Sequence, residues 1–501
     1  MPKSETLVLY DTFKEHMQRL ANVKNAIALL EWDQETYMPA GGAQFRGQQL
    51  TTLADLAHRM STRDEFGQLM ETLLDCADLP ELERKNVELT YEDYQKKRKY
   101  PADLVKALTR TYNTCFMAWI QARRENRFAI FAPELEKMIA LKQQEAETLG
   151  YPAQPYDALL DQHERGLTTA TLEQILPELK TQIISLLSWI QQRPQPSDAC
   201  LHAFADKQQQ WDFGIYLLQS IGFDFQTGRQ DLSEHPFTTS FNPHDVRVTT
   251  RIHENQLSTL IWSCIHEGGH ALYEQGLPVE QYGLPAGKAS SLVIHESQSR
   301  LWENCIGRSL SFWTYHYPEL QKRFPNPFRE IDLEDFYKAI NLVKPSLIRT
   351  EADELTYHLH ILIRYEIEKK LINEKLPVKE LPELWNALYA DMLGVQVPDD
   401  LHGILQDIHW CHGSLGYFPT YTLGSLLAAQ WWQQLQHDIA DLDETLARGH
   451  TRPVLDWLRS HIHCYGSLYT ADELCRRVTG KPLQVEAFLD YAREKFTRLY
   501  A

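Results

Sequence analysis

The chain has 501 residues, of which 43% are hydrophobic and 24% are charged, and these values are typical of a folded globular protein and exclude a disordered or low-complexity chain. Its 50 Lys and Arg residues against 68 Asp and Glu residues give a formal net charge of −18, which disfavours binding to phosphate backbones, so we expect no nucleic acid partner. No stretch of about 18 uninterrupted apolar residues occurs, so we expect no membrane partner.

The eight cysteines are scattered along the chain and form no C-x-x-C pair. This pattern argues against a Cys-rich structural zinc site, and a disulfide framework is unusual in a chain of this size. The N-terminal segment Met1–Thr6 contains an acidic residue and lacks the apolar centre of a signal peptide. The sequence therefore predicts a protein with reduced thiols, located in the cytoplasm.

Long amphipathic helices account for most of the predicted structure. Apolar residues recur with a period of about 3.6 in the segments 13–30, 82–100, 133–149, 169–193, 333–343 and 347–372. Breaks rich in Gly and Pro occur at 150–152, 194–197, 318–328 and 394–400. Because no long linker or internal repeat is present, we expect one large, mainly α body that forms a single domain over residues 1–501.

Residues 237–252 differ from the rest, because they are rich in β-branched and aromatic side chains and carry Asn242-Pro243 as a turn signal. This pattern predicts a small β-hairpin. Two interpretations stay open. The edge of the hairpin could pair with an extended peptide by strand addition, or the ribbon could simply cover one end of the helices.

The segment His266-Glu267-Gly268-Gly269-His270 carries the strongest chemical signal. Two histidines four residues apart lie on the same face of a helix, so both imidazoles can bind one metal ion. Glu267 then points beside that ion, where its carboxylate can accept a proton from an attacking water. Either a close approach of substrate or tight helix packing explains the two glycines, which are costly in a helix interior.

The apolar spacing around this motif predicts a helix, which Asn255 caps and Gly276 ends. A catalytic zinc site needs a third protein ligand and one open position. The next predicted helix, 291–307, offers His295 and Glu296, and Glu296 comes 26 residues after His270, which is enough for an antiparallel return. We expect Glu296 to be the third ligand, with His295 beside it as support.

Seven short motifs, in the same order along the whole chain, resemble those of the carboxypeptidase Taq family of metallocarboxypeptidases. They are Trp32-Asp33-Gln34-Glu35-Thr36 with Met38-Pro39, His235-Pro236-Phe237, Asp245-Val246-Arg247-Val248-Thr249, the metal motif, His295-Glu296-Ser297-Gln298, Ile348-Arg349-Thr350-Glu351-Ala352-Asp353, and Gly403-Ile404-Leu405-Gln406-Asp407-Ile408-His409-Trp410. No position that the family pattern specifies departs from it.

The resemblance implies a helical fold with a deep substrate groove, and usually a homodimer. It implies removal of single residues from the C-termini of peptides with broad specificity. It also implies His266, His270 and Glu296 as ligands of one divalent ion per chain, zinc by default and cobalt as an alternative, with Glu267 as general base. Composition and spacing by themselves indicate only the metal, the base and the helical body.

Two further residues are assigned by analogy with related helical peptidases. The oxyanion of a peptide-hydrolysing transition state needs a second donor besides the metal. His409 and Tyr421 are the candidates, since both follow the ligand helices in the sequence. Packing with a satisfied polar tip is the alternative interpretation for each.

An exopeptidase must recognise a free carboxylate, which suits the two-pronged donor geometry of arginine. The resemblance favours Arg349, which we expect in the first turns of a helix after Pro345, with Asp353, Tyr357 and His360 on the same face. A solvated polar stripe is the alternative.

Arg247 is the second candidate for the carboxylate anchor. His235, with Pro236 and Phe237, is similar to the family element thought to close one end of the groove. The alternative interpretation of that element is an ordinary turn with a buried ring.

Two other functions compete with a zinc carboxypeptidase. A zinc oligopeptidase or dipeptidyl carboxypeptidase of related fold would use the same chemistry but cut internally or release dipeptides. A non-enzymatic helical scaffold with a structural metal site would have no use for a base at Glu267, so the presence of this residue argues against it.

Overall fold

The computed structural model describes residues 3–501. Met1 and Pro2 lie outside the described residues, and the predicted N-terminal segment Met1–Thr6 and the predicted domain 1–501 both begin there. Helices build most of the described chain, as predicted. Before the sheet they are α1 (Lys3–Thr36), α2 (Ala43–Thr62), α3 (Asp64–Leu74), α4 (Glu81–Arg98), α5 (Ala102–Glu125), α6 (Phe128–Leu149), α7 (Pro155–His163), α8 (Thr169–Gln191) and α9 (Lys207–Ile221). After it they are α10 (Leu257–Gln275), α11 (Leu292–Arg300), α12 (Leu310–Arg323), α13 (Pro325–Phe328), α14 (Leu333–Ile340), α15 (Tyr357–Asn373), α16 (Leu381–Leu393), α17 (Phe418–Asp438), α18 (Leu442–Ala447), α19 (Arg452–His461), α20 (Ala471–Thr479) and α21 (Glu486–Tyr500).

The predicted helix 347–372 is wrong in its first third. Residues 347–356 are irregular apart from a single 3₁₀ turn at Arg349–Glu351, and α15 begins only at Tyr357. The Asp353 carboxylate accepts hydrogen bonds from the backbone N–H groups of Leu355 and Thr356 and so fixes a turn where the helix was expected. Arg349 therefore lies on a short turn before the helix.

The predicted break at 318–328 is wrong for most of its length, because α12 continues through Pro318 to Arg323 and α13 covers Pro325–Phe328, which leaves only Phe324 between them. A proline removes one helical hydrogen bond, but the helix can continue past it. The other three predicted breaks fall between helices. Among residues 3–501, every helix is too short or too polar to span a bilayer.

The predicted hairpin is confirmed and belongs to a three-stranded sheet. β2 (Thr238–Asn242) pairs antiparallel with β3 (Asp245–Thr250), and the register is irregular between Ser240 and Asn242. The sequence did not predict β1 (Gly228–Leu232), which pairs in parallel with the other edge of β3. β2 is thus an edge strand, and pairing of its edge with a peptide stays a prediction.

The metal motif lies on α10, in the larger of two apolar clusters, where Leu260, Ile261 and Leu272 are fully buried. Gly276 ends this helix as predicted. The predicted Asn255 cap is wrong, because α10 begins at Leu257 and no side chain caps it.

The two motif glycines confirm tight helix packing. A β-carbon at Gly268 would lie 2.5 Å from Ile221 Cδ1 on α9, and one at Gly269 would lie 2.7 Å from Ser299 Cα on α11. At Gly269 the close atoms are backbone, so α10 can approach α11 only because this position carries glycine, whereas at Gly268 the ends of the Ile221 and Leu218 side chains would have to shift.

The N-terminal helices α1, α3 and α4 pack around the second, smaller apolar cluster. Phe13 and Met70 are fully buried in it, and Leu284 joins it from the loop between α10 and α11. This contact places the N-terminal helices beside the segment that leads into α11.

Candidate metal centre

The structure brings the three predicted ligands together. His266 and His270 project from α10 and Glu296 from α11, and one donor atom of each lies within 4.8 Å of the others. Glu296 Oε2 is 3.9 Å from His266 Nε2 and 3.6 Å from His270 Nε2. Two imidazole nitrogens and a carboxylate oxygen in this arrangement fit a divalent cation such as zinc.

In each of the two imidazoles, Nδ1, the nitrogen that faces away from Glu296, forms a hydrogen bond. His266 Nδ1 donates to Glu303 Oε2 at 2.9 Å, and His270 Nδ1 shares a hydrogen bond of 2.6 Å with His295 Nδ1. His295 Nε2 in turn donates to Glu274 Oε1 at 2.9 Å. Metal-binding histidines in proteins are oriented in this way, with Nε2 left free for the ion. His295 therefore lies where the sequence predicted a supporting residue.

Contacts between the two ligand helices show that they run antiparallel. Residues 266, 269 and 270 of α10 contact residues 303, 299 and 295 respectively, so one series rises as the other falls. This confirms the expected antiparallel return. On the other side of α11, a β-carbon at Gly424 of α17 would lie 2.6 Å from Glu296 Cβ, so close helix packing also positions the third ligand.

Glu303 is a site residue that sequence reasoning missed. It lies on a π-helical turn, Leu301–Gly307, that continues α11, and such wide turns are common at functional sites. Burial alone would raise the pKa of Glu303, but Arg300, His266 and Arg308 together hold it well below its usual range. Glu303 therefore stays ionised. No sequence spacing marks it, since the π turn cannot be read from the residues.

Arg300 is a second residue that the sequence did not single out. Its Nε donates to Glu296 Oε1 at 2.7 Å, and one terminal nitrogen donates to Glu303 Oε2 at 3.3 Å. Its guanidinium also lies over the Tyr357 ring, 4.5 Å from the centroid. Arg300 thus holds the ligand carboxylate from the side away from the imidazoles.

Glu267, the predicted base, is buried beside the ligands and bound to the first residue of β2. Its Oε2 accepts a hydrogen bond of 2.6 Å from Thr238 Oγ1, and burial raises the pKa of its carboxyl group. The hairpin therefore orients the base. Thr238 directly follows His235-Pro236-Phe237 in the sequence, although nothing in the residue types indicated this contact.

His409 and Tyr421 are brought together near Glu296. His409 Nε2 lies 3.3 Å from the Tyr421 hydroxyl, and the Tyr417 ring packs against both, with centroids 5.3 and 5.2 Å away. Burial lowers the pKa of His409 to about 3 and raises the pKa of Tyr421 well above its ordinary value, and Glu296 adds to the latter effect. His409 is therefore neutral and Tyr421 keeps its O–H donor at neutral pH.

Arg349 is buried next to this pair. Its Nε donates to Asp407 Oδ1 at 2.9 Å and a terminal nitrogen donates to the Tyr357 hydroxyl at 3.0 Å. Its guanidinium lies 5.2 Å from the Tyr421 ring centroid. Asp407 also accepts a hydrogen bond of 2.6 Å from Arg364, so one carboxylate holds two arginines.

Of the residues expected on one face with Arg349, only Tyr357 contacts it. Asp353 instead fixes the turn before α15, and His360 Nδ1 shares a hydrogen bond of 3.0 Å with the Tyr389 hydroxyl. The predicted common face is wrong, because Arg349 precedes the helix instead of lying on it.

Arg247 and His235 lie at the sheet, and within the described part of the chain neither forms a hydrogen bond or an ion pair with the three ligand residues. Arg247 on β3 pairs with Asp245 at 2.9 Å and lies over the Trp32 ring, 4.3 Å from its centroid. His235 is exposed in the loop between β1 and β2. Trp32 thereby connects the first motif of the chain with the Asp-Val-Arg-Val-Thr motif.

Comparison with known proteins agrees with this geometry. Residues 12–496 match the family described as Carboxypeptidase Taq (M32) metallopeptidase. Carboxypeptidase 1 of Bacillus subtilis is 39% identical over 490 residues, which are 97% of this chain and 98% of that protein. A solved structure named CHT is 54% identical with a TM-score of 0.96, over 98% of this chain and 99% of that one.

An M32 carboxypeptidase structure from Deinococcus radiodurans R1 is 36% identical, also with a TM-score of 0.96, over 98% of this chain and 99% of that one. The similarity covers the helical body, the small sheet and the metal motif together. The chain therefore belongs to the carboxypeptidase Taq (M32) family and is a metallocarboxypeptidase.

Proposed function

We propose that this metallocarboxypeptidase binds one zinc ion per chain through His266, His270 and Glu296, and removes single C-terminal residues from peptides with broad specificity. The observation that carries the proposal is the convergence of the three donor atoms within 4.8 Å, with Glu267 beside them. Two imidazoles and one carboxylate are the ligands of many catalytic zinc sites. Cobalt suits the same donors and is the alternative metal.

Hydrolysis of the peptide bond needs a base for the attacking water. A divalent cation held by the three ligands supplies Lewis acidity, which lowers the pKa of water and polarises a carbonyl oxygen. Glu267 accepts the water proton at a carboxylate oxygen and passes it to the departing amine nitrogen. Thr238 Oγ1 donates a hydrogen bond to Glu267 Oε2. This bond keeps the carboxylate oriented between the two proton transfers.

The oxyanion of the transition state needs a donor besides the cation. Burial raises the pKa of Tyr421 well above its ordinary value, so its hydroxyl keeps a proton at neutral pH and supplies that donor. In this role Tyr421 accepts a hydrogen bond at its oxygen from the Nε2–H of neutral His409, 3.3 Å away, which leaves its own O–H free for the oxyanion.

Arg349 anchors the free carboxylate of the substrate in this proposal. A guanidinium has five N–H donors, and Asp407 and Tyr357 use three of them. The remaining two, one on each terminal nitrogen, can bind a carboxylate. Arg247 is the second candidate, and His235 with Pro236-Phe237 closes one end of the groove, next to the strand that orients the base.

The proposal is tested by the masses of the products from a peptide of known sequence. Successive loss of single C-terminal residues, which stops when the peptide is C-terminally amidated, supports it. Release of dipeptides or internal fragments contradicts it and favours an oligopeptidase. Elemental analysis of the same preparation identifies the metal and its ratio to the chain.

The role of Glu267 is tested by Glu267→Gln. The amide cannot accept the water proton, so we expect turnover to fall by at least about a thousandfold while one metal ion per chain stays bound. The role of Arg349 is tested by Arg349→Gln, which should raise KM for a free-acid peptide far more than it changes the metal content. Full activity of either variant contradicts its assigned role.

The family resemblance also supports a homodimer, while the N-terminal segment, the scattered cysteines and the lack of a long linker support a cytoplasmic location and a single catalytic domain over residues 1–501. Light scattering on the eluting protein measures the mass in solution. A mass near 58.3 kDa contradicts the dimer, and twice that mass supports it.

A further inference from the structure

A cavity of about 880 Å³ lies between the N-terminal helices and the segment that enters α11. Its walls come from α1, α4, the region around α7 (157–168) and residues 285–292 and 467–470. None of the three metal-ligand residues lines it, so the cavity is separate from the metal centre.

Three lysines on the wall of this cavity form no side-chain hydrogen bond or ion pair within residues 3–501, whereas Lys99, also on the wall, donates to the Leu149 carbonyl at 2.7 Å. The three are Lys24 on α1, Lys97 on α4 and Lys288 in the loop before α11. No ion pair within 4.0 Å joins any of them to a carboxylate in residues 3–501, whereas Lys96 and Arg165, on the same wall, pair with acids. Together the three lysines form the cavity lysine cluster.

Acidic residues on the cavity wall do not neutralise this cluster. Asp161 pairs with Lys96 and Glu92 with Arg165, and Asp157 is buried and bound to Thr169. Burial raises the pKa of Glu164 to about 7, so this carboxyl is partly protonated near neutral pH.

Asp93 is the acid that acts on the cluster electrostatically. Three ammonium groups thus face one carboxylate. This cavity is positive in a chain of net charge −18.

The surroundings of Lys288 suit the binding of an anion. Its side chain is accessible to solvent within the cavity, yet burial, Lys24 and Lys97 lower its pKa to about 8. An ammonium group that is partly desolvated beside two others gains free energy when an anion binds.

Two series of residues connect the wall of the cavity with the metal centre. Ser291 lines the cavity and caps α11, and Glu296 follows it by about 7.5 Å of helix rise. His163 also lines the cavity, and its ring lies 5.2 Å from that of Tyr417, which lies 5.2 Å from that of Tyr421. An extended peptide advances about 3.3 Å per residue, so about two to three residues cover either of these spans, and the upstream residues of a bound peptide would reach the edge of the cavity.

We propose that the cavity lysine cluster of Lys24, Lys97 and Lys288 is a subsite that selects peptides with an acidic side chain upstream of the scissile bond, within the second to sixth positions on its N-terminal side. Arg349, the carboxylate anchor of the proposed function on which this inference rests, does not line the cavity. The C-terminal end of the substrate is therefore bound elsewhere, and the cavity receives the upstream residues.

The experiment compares peptides that share the C-terminal residue and the scissile bond and differ by one Glu or Gln, placed in turn at the second to sixth upstream position. In the wild-type enzyme we expect kcat/KM to be roughly three- to tenfold higher with Glu at the positions that reach the cluster. The higher kcat/KM should come from a lower KM, and the difference between the Glu and Gln peptides should become smaller as salt is added. This scan requires no substitution and tests the inference directly.

The triple variant Lys24→Gln/Lys97→Gln/Lys288→Gln should bring the Glu/Gln ratio to about one. The matched control is Lys85→Gln/Lys106→Gln/Lys137→Gln, which changes net charge equally at surface lysines paired with Glu88, Asp103 and Glu134. The control should keep the wild-type ratio.

Each outcome decides the matter. If the wild type removes the C-terminal residue from both peptides without preferring Glu at any position, the inference is wrong and the proposed function stands. If the preference survives in the triple variant or is lost in the control, the cavity lysine cluster does not cause it. If no single C-terminal residue is released at all, the proposed function fails and the inference fails with it.

Discussion

At the scale of single residues, the orientation of each ligand imidazole is fixed by a hydrogen bond at its Nδ1. Glu303 holds His266 and His295 holds His270, with hydrogen bonds of 2.9 and 2.6 Å. The charge on Glu303 is maintained by Arg300 and Arg308. Such partners fix the tautomer and raise the basicity of the ligand nitrogen, so they control how tightly a cation is held.

The variant Glu303→Gln keeps the hydrogen-bond acceptor for His266 but removes its charge. We expect the affinity for zinc to fall about tenfold or more, with smaller changes in kcat once the metal is saturating. Titration with a competing chelator measures the affinity. Glu494→Gln, at an exposed position on α21, is the control, and equal affinities of the two variants would show that Glu303 does not support the ligand.

Asp407 holds Arg349 and Arg364, which are both buried, at 2.9 and 2.6 Å. The variant Asp407→Asn leaves these guanidinium groups without their shared anion. Since unpaired buried charges are costly, we expect a loss of about 3–5 kcal/mol in the free energy of unfolding, measured by urea denaturation.

Asp103→Asn is the control for this loss. Its side chain is 99% exposed, so the free energy of unfolding should change by less than about 0.5 kcal/mol. A small effect at Asp407 would mean that water or another group neutralises the arginines.

At the scale of elements, the distance between α10 and α11 determines whether the ligands meet. This distance depends on Gly269, because its missing β-carbon leaves room for the backbone of α11 at Ser299 and Gln298. Backbone atoms cannot move aside as the end of a flexible side chain can. The two helices must therefore separate if the position gains a side chain.

The variant Gly269→Ala should destabilise the protein by about 1–3 kcal/mol and weaken metal binding, because Glu296 moves away from the imidazoles. Thermal unfolding with and without added zinc measures both effects. Gly47→Ala is the control, since its β-carbon would meet nothing within 4 Å in the second turn of α2, and helix propensity predicts a gain of up to about 1 kcal/mol. Equal metal affinity in the two variants would contradict this account of the helix pair.

At the scale of the whole molecule, buried neutral histidines link stability to pH. His316 is one of them, since its Nδ1 binds the Tyr216 hydroxyl at 2.8 Å and burial lowers its pKa to about 4. Between pH 6.5 and 4 the unfolded chain binds a proton at this residue and the folded chain does not. Protons therefore favour unfolding, and stability is lost as the pH falls through this window.

The variant His316→Gln should lose less stability than the wild type on going from pH 6.5 to pH 4, by up to about 3 kcal/mol. Urea denaturation across this range measures the difference in slope. His244→Gln, an exposed position, should follow the wild type. Parallel curves for His316→Gln and the wild type would show that His316 is protonated in the folded state.

Much of the local structure could be predicted from the sequence, because it depends on spacing within one element. A helix has 3.6 residues per turn wherever it lies, so His266 and His270 share a face and Glu267 stands beside them. The periodic apolar segments predicted helices for the same reason. The turn signal at Asn242-Pro243 likewise predicted the hairpin.

Only the tertiary structure decided what depends on the packing of one element against another. It brought Glu296 to face both imidazoles, placed Glu303 on a π turn, put Arg349 before its expected helix and gathered three distant lysines around one cavity. The spacing of residues within a helix follows from its hydrogen bonds alone. Contacts between helices depend instead on close fits such as that at Gly269, which involve atoms from segments far apart in the chain.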